Sequence, residues 1–137
     1  MQADVTVNSP PAHQTHHRIR LSGIVAPEKA QPYGLQSRQS LSDLVRGRMV
    51  TVQTGKTDRY GRVVGKVLLE GMDVNLEQIR RGLAWHYKAY EREQSVEDRG
   101  IYAKAESIAM DALLGLWSAS AMPVPPWEYR HPRSPSP

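Results

Sequence analysis

The apolar pattern changes period twice, dividing the chain into a strand-rich front and a helical back. Residues 17–25, HRIRLSGIV, alternate Ile19, Leu21 and Gly23 with Arg18, Arg20 and Ser22, as a half-buried strand does. Arg20 is therefore expected on the face opposite Ile19 and Leu21. Ala26-Pro27 ends that run, because proline cannot continue a ladder. Leu35, Leu41, Leu44 and Val45 predict a helix over 34–47, closed by Gly47. RMVTVQT (48–54) and RVVGKVLLE (62–70) predict strands joined by a hairpin through GKTDRYG. A short helix is expected next, with Val74, Leu76, Ile79 and Leu83 inward and Glu77, Gln78, Arg80 and Arg81 outward. A longer helix starts from a Ser95–Asp98 cap, and Ile101, Ala105, Ile108, Ala109, Ala112, Leu113 and Leu116 are read as its core stripe, with Met110 also inward. Trp117 follows as a lid. Residues 122–137 are proline-rich and read as an extended tail behind a single domain of residues 1–121.

The chain has 137 residues and no cysteine, which excludes disulfide scaffolds, Cys-ligated zinc and thiol catalysis. A single core is within reach at this length. No run approaches the roughly 20 apolar residues of a membrane span, and the first residues lack the basic start and apolar stretch of a signal peptide. No membrane partner is expected, and the location is left unassigned. A formal net charge of +4 mildly favours a polyanionic partner.

Two segments carry chemistry. RLSGIVAPE, Arg20 to Glu28, sets a guanidinium on a strand and a carboxylate just past a rigid proline. TDRYGR, Thr57 to Arg62, sets a second guanidinium at the exit of a hairpin. Two arginines and one glutamate meeting at a point suit phosphodiester hydrolysis: planar donors for accumulating charge, and a carboxylate to orient or deprotonate water.

With DRYGR at 58–62, VNLEQIRRGLAW at 74–85 and GLW at 115–117 in order behind RLSGIVAPE, the sequence resembles the staphylococcal nuclease-like (thermonuclease) family over about residues 17–118. The resemblance implies an α+β fold, mainly a five-stranded OB-fold barrel with three helices. It implies a monomeric nuclease acting on DNA or RNA, single- or double-stranded, by calcium-assisted attack of water. Family members are often secreted. Arg20 and Arg62 correspond to the transition-state arginines and Glu28 to the general base or water-orienting carboxylate. Arg59, Tyr60, Tyr87 and Tyr90 correspond to phosphate-holding and base-stacking neighbours. Asp4 and the Ala26 carbonyl are the remaining candidates for calcium.

Val25 departs from the family pattern, standing where a metal-binding aspartate is expected. The early D-G-D-T segment is nearly missing too, and ADVTV, residues 3–7, is read as its remnant without a full first strand. Calcium prefers six to eight oxygens, carboxylates included, so an isopropyl group in that place weakens the site. The alternative function is a catalytically degenerate nucleic-acid-binding module of the same fold, and a third reading starts the gene product upstream. His13, His16 and His17 fit a polar hairpin loop better than a metal cluster. Trp85, His86, Tyr87 and Tyr90 form either a stacking platform or packing, and residues 91–99 read as a solvated loop.

Overall fold

Strand β1 (Gln2–Ser9) and β2 (His13–Leu21) run antiparallel, with Gln2 opposite Arg20 and Ser9 opposite His13. The computed structural model describes residues 1–9, 13–118 and 123–130, without the side chains of 4–9, 13–17, 54–55 and 130. The eight residues of β1 form the full first strand that the sequence reading did not credit. The three histidines belong to β2 and not to a loop, and their side chains, like that of Asp4, lie outside the described residues.

After a turn at Ser22-Gly23, β3 (Ile24–Val25) is brief, and the chain enters α1 (Gly34–Val45). Of the stripe read for α1, Leu41, Leu44 and Val45 are buried, while Leu35 is exposed. Strands β4 (Met49–Thr57) and β5 (Val63–Leu69) form the expected hairpin, with β4 ending three residues later than expected and a register shift between Thr54 and Lys56. Strand β4 also pairs in parallel with β1, and β5 with β2, where Ile19, Arg20 and Leu21 face Val63, Val64 and Gly65. Strand β6 (Met72–Asp73) extends this five-stranded sheet, and β3 pairs with β7 (Trp85–His86) in a small second sheet. The architecture is α+β.

Helix α2 (Val74–Arg80) is capped by Asp73, whose side chain accepts from the Leu76 N–H. Val74, Leu76 and Ile79 are buried as read, but so is Gln78, assigned above to the polar face. Its amide is satisfied by the Ser40 hydroxyl at 2.6 Å and the Ser37 carbonyl at 3.0 Å, which removes the usual penalty for burying it. Helix α3 (Val96–Asp111) starts on the expected Ser95 cap. Its inward face is rotated from the aliphatic stripe: Tyr102, Ala105, Glu106 and Ala109 are buried, whereas Ile101, Ile108, Met110 and Leu113 are exposed. Glu106 belongs inside because it accepts the His86 N–H at 2.7 Å and pairs with Lys88 at 2.7 Å. Leu21, Val67, Val74, Ile79 and Tyr102 form the centre of the core.

Trp117 meets Trp85 edge to face at 5.9 Å, as a lid does. The segment read as extended instead holds a fourth helix, α4 (Pro126–Arg130), whose Trp127 reaches Trp85 and Tyr87. Among the described residues, no helix is long and apolar enough to cross a membrane.

Candidate active site

The β4–β5 hairpin turn is built around one carboxylate. Asp58 Oδ1 accepts the backbone N–H groups of Tyr60 at 2.9 Å and Arg62 at 3.0 Å, an Asx turn that fixes where Arg62 leaves the loop. Asp58 Oδ2 accepts Arg62 Nε at 2.9 Å and Arg20 Nε at 3.2 Å. The parallel β2–β5 register makes this meeting possible, because it sets Arg20 beside the strand that begins just after Arg62. The two arginines, 42 positions apart in sequence, therefore converge on a single oxygen.

Arg20 is held from two further sides. Its Nη2 donates to Glu93 Oε2 at 2.7 Å, an oxygen that also takes Lys56 Nζ at 2.9 Å, and its guanidinium lies 5.3 Å from the Tyr90 ring centre. Tyr60 lies between Arg59 and Arg62, at 5.0 and 5.5 Å from their guanidinium carbons. Among the described residues, Arg20 Nη1 and both terminal nitrogens of Arg62 make no hydrogen bond, so they are available to an anion. Burial works against ionisation of Asp58, but the Arg62 and Tyr60 N–H groups and the Arg62 guanidinium outweigh it, lowering its pKa from 3.8 to about 2. Burial likewise opposes the charge on Glu93, and hydrogen bonds from Arg20 and Lys56 bring its pKa below the usual carboxylate range.

Glu28 sits in the turn between β3 and α1. Its N–H donates to Gln31 Oε1 at 2.7 Å, its carbonyl accepts the Gln31 N–H at 2.9 Å, and Gln31 Nε2 reaches the Val124 carbonyl at 2.8 Å. Gly34 packs so closely on the Glu28 backbone that a side chain there has no room. Arg20, Glu28, Arg59, Tyr60, Arg62, Tyr87 and Tyr90 all line one groove of about 1140 Å³, so every catalytic and substrate-binding residue read from sequence faces the same space. Tyr87 and Tyr90 contact each other at 4.7 Å. Trp85 and His86, considered above as platform members, are buried and serve packing.

Sequence reading missed three contributors. Asp58 stood inside a quoted motif without a role. Glu93 was placed in a solvated loop, yet its side chain is 8% exposed and grips Arg20 across 73 positions. Trp127 was assigned to the tail, with docking on the barrel surface left open, and no role in the groove was given to it. A carboxylate next to a motif arginine was a usable signal for Asp58; nothing in local periodicity marks Glu93.

Among the described residues, which leave out the Asp4 side chain, the donor set falls short of a dehydrated calcium ion. Val25 lines the groove without an oxygen in its side chain, and among the described residues no three His, Cys, Asp or Glu side chains gather. Glu28 and the backbone at Ala26 fall short of six to eight oxygens.

The family model for staphylococcal nuclease homologues matches residues 18–119. The chain is 41% identical over 114 residues to a probable staphylococcal-like nuclease of Oryza sativa, an alignment covering 83% of this chain and 32% of that protein. It is 43% identical over 115 residues to an Escherichia coli protein described as an uncharacterized endonuclease, covering 83% and 71% respectively. A similarly described Haemophilus influenzae protein is 36% identical over 113 residues, covering 82% and 60%. The chain thus spans about a third of the plant relatives it matches. With motifs, site geometry and match in agreement, this chain belongs to the staphylococcal nuclease homologue family.

Proposed function

We propose that this chain is a nuclease hydrolysing phosphodiester bonds of DNA or RNA. The observation that carries the reading is the meeting of Arg20 and Arg62 on Asp58 Oδ2 in the groove that Glu28 also lines. A phosphate entering there meets unengaged guanidinium N–H donors, which stabilise the charge that builds on its oxygens as water attacks. Glu28 orients that water or takes its proton. Tyr87 and Tyr90 supply base-stacking faces, and Arg59 and Tyr60 hold flanking phosphate. The return pairing of β2 with β5 supports an OB-type barrel beneath the site.

Calcium enters only as a weakly held cation: Asp4 and the Ala26 carbonyl are the groups the family pattern leaves for it. When bound it would supply positive charge beside the scissile phosphate. Val25 also favours a second reading, a binding module that retains the groove without turnover. The test is cleavage of single-stranded DNA with calcium and with a chelator, for the native chain and for Val25→Asp. The nuclease reading expects slow calcium-dependent cleavage that rises in Val25→Asp together with calcium affinity. Binding without cleavage by either protein supports the module instead, and full-rate cleavage with tight calcium binding by the native chain overturns the role given to position 25.

A further inference from the structure

The C-terminal segment lies beyond the family match, which ends at residue 119, and yet it walls the groove. Trp127 stacks on Tyr87 with ring centres 5.3 Å apart and planes 27° from parallel, and meets Trp85 edge-on at 6.2 Å. The segment is tied to the loop of Glu28 by one buried side chain, Gln31, which accepts from the Glu28 N–H and donates to the Val124 carbonyl. A tryptophan used only as packing is buried; Trp127 remains 39% exposed as a residue and lines the same groove as Arg20, Glu28 and Tyr90.

We propose that Trp127 is a nucleobase-stacking residue, adding the open part of its indole to the faces of Tyr87 and Tyr90 for one base of a single strand. This rests on the nucleic-acid reading above for its substrate class. A single strand is specified because in a duplex the base faces are already stacked on their neighbours, whereas an unpaired base offers its face to an aromatic side chain. Tyr87 holds the indole by its stacked contact, so the ring is ordered before the base arrives and little entropy is lost on binding.

The experiment measures binding of a short thymidine oligonucleotide and of an abasic strand with the same backbone, both in chelator so that no strand is cut. Stacking predicts that Trp127→Ala weakens binding of the thymidine strand about 5- to 150-fold and leaves the abasic strand unchanged, with Trp127→Phe retaining most of the affinity. Trp127→Leu, which keeps an apolar contact with Trp85, repeats the measurement if the alanine protein fails to fold. Equal losses on both strands mean a structural role and overturn the proposal, as does an unchanged affinity. Tighter binding of the thymidine strand also overturns it, since it would make the segment an obstruction. Wild-type protein that does not prefer the thymidine strand is a further overturning result. Cleavage is scored separately, so a chain that stacks bases without cutting them sinks the nuclease reading alone.

Discussion

Asp58 accepts two backbone N–H groups through one oxygen and two guanidinium Nε groups through the other, so Asp58→Asn keeps the turn's shape while removing the charge between the arginines. We expect kcat to fall about 10- to 100-fold, because loosened arginines no longer meet the phosphate in register. The folded-state pKa is depressed from 3.8 to about 2, so the contribution of this carboxylate to stability is present above 3.8 and is lost as pH falls toward 2. Thermal melts across pH should accordingly show the gap between wild type and Asp58→Asn narrowing only below about pH 4. A gap that narrows at higher pH points to another group. The two arginines should also part company in stability: Arg20 is 11% exposed and its loss strips Glu93 of one of two cations, whereas Arg62 is 30% exposed. Arg20→Ala should cost about 2–3 kcal/mol and Arg62→Ala under about 1 kcal/mol by denaturant unfolding, with cleavage lowered strongly in both. Arg20, Glu28 and Arg62 could be picked out because they stand in two short, ordered motifs, RLSGIVAPE and DRYGR, and the structure brings both motifs to one groove. Glu93 could not, since an ion pair spanning 73 positions depends on which strands adjoin.

Elements repeat this distinction between local and long-range information. The Ser95 cap and the β4–β5 hairpin follow from neighbouring residues and were readable. The inward face of α3 was misread because aliphatic content alone cannot weigh Tyr102 and Glu106, which are buried by partners on Asp73, His86 and Lys88. Helix α4 is too short for periodicity to reveal, and its place is fixed by Trp127 packing and by Gln31. Deleting residues 123–137 should lower Tm by about 5–10 °C, the scale of losing one packed indole from a domain of this size, and a melt within a degree of wild type would refute that docking. The ends of α2 and α3 are joined by glycines: Gly82 has φ 72°, abuts the Leu114 backbone, and accepts the Leu116 N–H at 2.8 Å. Gly82→Ala should therefore destabilise by about 3 kcal/mol or more. Gly47→Ala, equally left-handed at φ 70° but facing open space, should cost only about 1 kcal/mol in the same assay.

For the molecule as a whole, the modest formal charge of +4 matters less than where cations lie. Arg38 on α1 and Arg46, eight residues on at its C-cap, are exposed and line the same groove as Arg20 and Arg62. Each phosphate they neutralise releases counterions, so the double variant Arg38→Ala/Arg46→Ala should lower the log–log salt slope of single-strand binding by about 1.4, twice the roughly 0.7 per contact. An unchanged slope would place the strand elsewhere. The small β3–β7 sheet links the halves of the site: Ile24 and Val25 pair with His86 and Trp85, and the Tyr87 N–H donates to the Gly23 carbonyl at 2.8 Å. The loop leading to Glu28 and the segment bearing the tyrosines are thus zipped by backbone hydrogen bonds, and neither can open without breaking the other's. In amide hydrogen exchange they should behave as one cooperative unit, with slow exchange at Val25 and Tyr87 lost together under increasing denaturant.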